Sequence, residues 1–264
     1  MDDPDRELPD LADRARREAE AVQAFGALPG RRRYPLLRAR FPYMSDLLAT
    51  LEAPRVLDAG MGQAKLQRLH LHRHPNHAIR WHGADLSSYR LALRTDVQGI
   101  GRVQANVQGA LPYPDGAFDA AVCSWVFQHL PDPTSAMNEL ARVVRPGGLV
   151  LVSVPHSPQP VKGVQDLFHP TWVRFRARFR RKKFSYSPQV QFYNLPRLRR
   201  MAQTADLEVV RWQGFGFPIS GGPLRFLENY RWVWQANLRF GAALPRMTKQ
   251  LLVVARKPER QLNG

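Results

Sequence analysis

The sequence predicts an α/β fold: a mostly parallel, seven-stranded sheet with helices on both faces and an antiparallel edge strand. Three observations lead there. Between residues 55 and 155, short apolar or β-branched runs alternate with segments of helical periodicity, the pattern of right-handed βαβ units. "FDAAVCSWVF" (118–127) and "LVLVSVP" (149–155) are continuously apolar, as strands covered on both faces are. The last two strand-like runs, 207–214 and 249–257, are separated by an aromatic stretch instead of a short helix, which predicts the antiparallel edge. The architecture is Rossmann-like.

In chain order, residues 1–34 form a charged arm of helical character, and a helix follows in 35–53 before Pro54. "RVLDAG" is the first strand and "MGQAKLQRLHLHRH" the next helix. "IRWHGADL" is a strand, and "SSYRLALRTDV" a helix with Ser87 or Ser88 as N-cap. "GRVQANV" is a strand, and "LPYPDGA" a turn with two prolines and Asp-Gly. "DPTSAMNELARVV" is a helix with Pro133 in its first turn and an apolar stripe of Ala136, Leu140, Val143 and Val144; "RPGG" stops it. "LPRLRRMAQTAD" is a helix, and "LEVVRWQG" and "KQLLVVARK" are the final strands. The main domain spans 35–258, with a basic aromatic insertion at 156–190, a helical cover at 222–245 and a tail at 259–264.

The chain has 264 residues and a formal net charge of +17. Residues 1–20 carry eight acids and four arginines, or −4, so the remainder carries +21. This balance favours anionic partners; the plain alternative is a solubility adaptation. No run is long enough to span a membrane, and the charged N-terminus lacks the apolar core of a signal peptide, so the expectation is a soluble, cytoplasmic protein. Cys123, the one cysteine, reads as a small core residue.

In open α/β sheets, ligands bind at the carboxyl ends of the strands. Asp58 ends the first strand, Gly60 and Gly62 shape the following turn, and Asp85 ends the second strand, where an acid accepts hydrogen bonds from ribose hydroxyls. The dinucleotide fingerprint wants a third glycine where Lys65 stands, and no phosphate-binding G-K-[ST] occurs.

"VLDAGMG", "GADLSSYRLAL", "LPYPDGAFDAAVCSWVFQHLPDP" and "ELARVVRPGGLVLVSVP" resemble the successive motifs of class I S-adenosylmethionine-dependent methyltransferases, closest to the bacterial subgroup that includes ubiquinone and menaquinone C-methyltransferases. The resemblance covers about 35–258. It implies S-adenosylmethionine as cofactor. Asp58, Gly60 and Gly62 would then line its methionine part, Asp85 would hold the ribose, and Leu86 would pack on the adenine. Asn106, with Val107 beside it, would face the adenine amino group in place of the family's usual acid. Trp125 and His129 would lie between cofactor and acceptor. The family's third loop glycine is Ala64 here, read as a tolerated change because alanine suits a helix start.

The sulfonium methyl is already activated, so a base is needed only where the acceptor holds its proton; His129, His156 and His169 are the candidates. "HLHRHPNH" holds His70, His72, His74 and His77. Only His70 and His74 share a face, so the expectation is a solvated helix end and no metal. Between Asp166 and Asp206 there is no acid and there are ten Lys or Arg. Phe168, Trp172, Phe175 and Phe179 form a helical stripe there, although Val173, Phe175, Ala177 and Phe179 also alternate as in a strand. A lid packed on the domain with its arginines solvated comes first; an anionic membrane surface, peripheral in character, or a lipid-like acceptor comes next, and nucleic acid last, the methyl acceptor being small or amphiphilic. Phe168, Trp172, Tyr193, Tyr230 and Trp234 are the expected pocket residues. A non-catalytic relative is a further alternative, and the oligomeric state is left open.

Overall fold

The computed structural model describes residues 39–92, 99–156, 191–216 and 230–259. The expected arm, nearly all of the basic insertion and the first part of the helical cover lie outside these residues. The strands β1 (Arg55–Ala59), β2 (Arg80–Asp85), β3 (Gly101–Gln104), β4 (Phe118–Ser124), β5 (Val144–Pro155), β6 (Glu208–Phe215) and β7 (Gln250–Arg256) form one sheet in the order β3-β2-β1-β4-β5-β7-β6. The pairings among β1 to β5 are parallel. β7 runs antiparallel to both β5 and β6, so the antiparallel edge is a pair with β6 outermost. Composition explains the order: Leu251–Ala255 of β7 is apolar throughout and buried, whereas β6 exposes Glu208 and Arg211, charges that blunt an edge.

The helices are α1 (Arg40–Leu48), α2 (Lys65–Arg73), α3 (Ser88–Ala92), α4 (Pro133–Val143), α5 (Leu195–Thr204) and α6 (Arg231–Ala243). Alternate strand residues feed two cores. Leu57, Ala121, Cys123, Val150 and Val152 pack with Met137, Leu140 and Leu198 of α4 and α5. Val56, Ala120, Val122, Leu149 and Leu151 pack with Met44, Leu48, Leu66 and Trp234 of α1, α2 and α6. Both faces of the central strands are thus covered, which is why their sequences are apolar throughout. Asp132 caps α4, accepting from the backbone N–H groups of Thr134 (3.0 Å) and Ser135 (3.1 Å). The chain turns extended directly at Val144, with the Lys257 ammonium 2.8 Å from the carbonyls of Ala141 and Val144. Among the described residues, no helix is long and apolar enough to cross a membrane.

The histidine cluster corrects the expectation of a solvated helix end. His70 is completely buried. The His77 Nε2 lies 2.7 Å from the Leu51 carbonyl, which can only accept, so it carries the proton. A neutral His77 then accepts at Nδ1 from the His70 Nε2–H (3.0 Å), and the His70 Nδ1 accepts from the Ser45 hydroxyl (3.1 Å). A carboxylate also lies close: Asp46 of α1 pairs with Arg73 (2.7 Å) and His74 (3.0 Å). The cluster is a polar layer between α1 and α2. Burial first, then the neighbouring His74 and His77, push the His70 pKa down to about 4.

The folded state therefore refuses a proton that the unfolded chain accepts below about pH 6.5. Stability should fall between pH 6.5 and 4, by at most about 3 kcal/mol from this ring. Urea unfolding at pH 7.5 and 4.5 reads the loss. His70→Gln should lower stability at pH 7.5 and flatten part of the acid dependence; an unchanged acid dependence would remove His70 from this account.

Candidate active site

The chain leaves β1 through a turn that only glycines and one strained residue make possible. Gly60 has φ +81°, and a Cβ there would lie 2.1 Å from a Val126 methyl. This contact sets the turn against the segment that leaves β4. The N–H groups of Gly60 and Met61 both donate to the Ala84 carbonyl, at 2.6 and 3.1 Å. Met61 packs its sulfur where a side chain on Gly83 would stand. Beside Gly62 (φ +51°) the space is open, with nothing closer to an added Cβ than the Gly60 carbonyl at 4.0 Å. Ala64 is not in helical backbone, which corrects the sequence reading. It precedes α2 at φ 52°, ψ 37°, in the left-handed region, where a Cβ costs roughly 1–2 kcal/mol. The helix-propensity argument for alanine therefore does not apply there, and the position is one where glycine fits without strain.

Two acids face this turn from neighbouring strand ends. Asp58 is buried, and its carboxylate accepts from the Gln67 amide at 2.8 Å. The Gln67 Oε1 is buried without a partner. Burial pushes the Asp58 pKa up to about 7; the Gln67 amide opposes that rise and the charge of Asp85 adds to it. Asp85 is anchored at both oxygens, accepting from the Gly62 N–H (2.9 Å) and the Ser87 N–H (2.9 Å). Each oxygen retains a further lone pair. The acceptor set is thus two carboxylates and an unpartnered amide oxygen beside an open turn. It suits a ligand that brings positive charge and hydroxyl groups.

The remaining expected residues divide. Leu86, 68% exposed, follows Asp85 at the strand end. Asn106 is exposed and its Oδ1 accepts from the Gln108 N–H, closing its own turn, while Val107 is buried. Trp125 follows β4 at φ 60° with 40% of its surface exposed. His129 is exposed in the short 3-10 turn Phe127–His129. His156 is buried, with its ring nitrogens 2.6 Å from the Tyr193 carbonyl and 3.1 Å from the Arg246 carbonyl. Neither nitrogen is left for a substrate proton, so His156 is a tie between segments. Tyr193 is likewise a core residue, its hydroxyl donating to the Phe127 carbonyl at 2.8 Å. Trp234 packs into the second core, and Tyr230 is exposed ahead of α6. Phe168, His169 and Trp172 lie outside the described residues. Sequence reasoning missed Gln67 and Arg40. Gln67 lies two residues beyond Lys65, in the first turn of α2, where an amide can reach back to the strand end. Arg40 sits in no motif.

Residues 57–152 match the family described as a methyltransferase domain. The chain is 33% identical over 151 residues to a demethylmenaquinone methyltransferase of Thermus thermophilus, covering 52% of this chain and 66% of the relative. It is 35% identical over 120 residues to a ubiquinone biosynthesis O-methyltransferase of Alkalilimnicola ehrlichii, covering 43% and 47%. The chain thus spans between about half and two thirds of these relatives' lengths. Residues 57–152 thus carry a methyltransferase domain of the class I S-adenosylmethionine-dependent type. Solved structures agree on the fold. A SAM-dependent methyltransferase from Aquifex aeolicus superposes with a TM-score of 0.52 at 12% identity, covering 82% of this chain and 89% of that one. The [4+2]-cyclase SpnF gives 0.54 at 20%, covering 82% and 80%.

The buried acid makes this protein's stability depend on pH in the opposite sense to His70. The folded state keeps a proton on Asp58 that the unfolded chain releases near pH 4. The penalty is absent below that pH, grows as pH rises, and is complete above pH 7, at most about 4 kcal/mol. Asp58→Asn keeps an acceptor for Gln67 and cannot ionise. It should raise the melting temperature at pH 8 and change it little at pH 4. An equal loss at both pH values would contradict a buried, titrating carboxyl.

Proposed function

We propose that the chain transfers a methyl group from S-adenosylmethionine to a small, lipophilic acceptor bearing a flat, oxygen-substituted ring. The observation that carries the cofactor half is the acid-lined turn: Asp58, Gln67 and Asp85 offer acceptors to a ligand with ammonium, sulfonium and ribose hydroxyl groups. The acceptor half is supported by relatives named for demethylmenaquinone and ubiquinone biosynthesis.

When bound, the cofactor supplies a methyl group on an electrophilic sulfonium. The protein's part is then to bind, orient and exclude water. In this reading, Asp58 and Gln67 hold the methionine end, with the Gly60–Gly62 turn giving backbone approach. Asp85 accepts from the ribose hydroxyls, and exposed Leu86 gives the adenine an apolar surface. The Asn106 oxygen, with a lone pair beyond its own turn, meets the adenine amino group beside Val107. Trp125 stands at the acceptor side. Where the acceptor is a hydroxyl or an acidic carbon, His129 takes the proton, with His169 as the other candidate. The basic segment 156–190 meets the anionic surface from which a lipid-like acceptor comes.

The test is transfer of labelled methyl from S-adenosylmethionine to 1,4-naphthohydroquinones and prenylated catechols, with bulk transfer and ribosomal RNA in parallel. Label in the organic extract is the expected result. Label in RNA would replace this reading with an RNA-directed one. No cofactor binding at millimolar concentration would leave a non-catalytic relative of the fold.

A further inference from the structure

Arg40, the first residue of α1, is an arginine with only 8% of its surface exposed, and it sits where three strand ends meet. Its Nε–H donates to the Ser124 hydroxyl at 3.2 Å, at the end of β4. Its Nη1–H donates to the Gln250 Oε1 at 3.1 Å, at the start of β7. The Ser124 and Ser153 hydroxyls lie 2.9 Å apart, which brings in β5. The guanidinium lies over two rings, Phe41 at 4.3 Å and Trp125 at 4.8 Å.

Trp125 is what this arrangement holds. Its backbone is left-handed, a conformation that a bulky residue keeps only when its surroundings over-determine it. Its N–H donates to the Ser153 carbonyl (2.9 Å), its own carbonyl accepts from the Gln128 amide (2.9 Å), and Arg40 engages both its ring and its neighbour Ser124. The next residue, Val126, packs its side chain against Gly60, so the chain passes directly from Trp125 to a residue that meets the glycine turn. Yet 40% of Trp125 remains exposed. The residue is thus fixed through its backbone and its ring while part of its surface stays open to solvent.

We propose that Arg40 is a positioning residue that holds the Trp125 indole as a stacking platform for the flat ring of the acceptor. The inference rests on the methyl-transfer reading above and adds a preference to it. A cation over the ring draws electron density from the indole, so the platform favours electron-rich arenes, phenols and hydroquinols, over quinones.

The test compares Arg40→Met, Arg40→Lys and Trp125→Phe with the wild type, using a 1,4-naphthohydroquinone as acceptor probe and the matching naphthoquinone as control. Arg40→Met should raise the acceptor KM about tenfold, with kcat and the calorimetric cofactor Kd within about threefold of wild type. Arg40→Lys should recover much of that loss, and the double variant Arg40→Met with Trp125→Phe should be no worse than the worse of the two single variants. Quenching of the Trp125 emission, isolated by subtracting Trp125→Phe, should be tighter with the hydroquinone than with the quinone. That readout needs no turnover, so it judges the platform even if no methyl is transferred and the methyl-transfer reading fails. Unchanged KM and quenching in Arg40→Met beside a lowered melting temperature would make Arg40 a structural tie and overturn the proposal. Should Arg40→Met not fold, Arg40→Lys and Trp125→Phe decide on the same readouts.

Discussion

The carboxyl group of Asp58 lies buried between the end of β1 and the first turn of α2, where the Gln67 amide meets it and the Asp85 carboxylate stands across the turn. Bringing two buried acids together opposes folding at neutral pH. The surrounding structure is arranged to tolerate it. Asp85 is anchored by two backbone N–H groups, the turn is tied twice to the Ala84 carbonyl, and Ala64 accepts a left-handed backbone to let α2 start where Gln67 can reach. Stability is given up at the one place where a cationic ligand would restore it.

The sheet order explains why the acids meet. β1 lies between β2 and β4, and the chain leaves it towards one side while β4 begins the other half of the sheet. Loops after β1, β2 and β4 therefore converge on one crevice, the usual ligand position in doubly wound sheets. Gly60 against Val126 and Gly83 against Met61 show how closely they converge. The cover on the opposite flank is built from α1, and through Arg40 it reaches the ends of β4 and β7. The acids Asp58 and Asp85 after β1 and β2 and the buried cation Arg40 at the ends of β4 and β7 give this end of the sheet two chemically distinct halves.

Much of this is legible in the sequence because it is local. The βαβ alternation, the strand-ending Asp58 and Asp85, the two turn glycines Gly60 and Gly62 and the first-turn Pro133 each depend on residues near in the chain. What was not legible depends on contacts between distant segments. Nothing near His156 says that its nitrogens meet carbonyls of residues 193 and 246, nor that Tyr193 belongs to the core. The burial of His70 comes from α1 packing on α2 with Ser45 opposite, and Arg40 owes its place to an 84-residue separation from Ser124. The left-handed backbone at Ala64 was hidden for another reason. Composition favours helix there, and tertiary packing overrides that preference.

The central claim is that the Asp58 carboxyl is held near neutral pKa in readiness for a cationic cofactor. Titration calorimetry of S-adenosylmethionine binding at pH 6 and pH 8 tests it most directly. If the cofactor binds the ionised form, affinity should be about tenfold weaker at pH 6 than at pH 8, and Asp58→Asn should bind weakly with no such dependence. Equal wild-type affinity at both pH values would contradict the account.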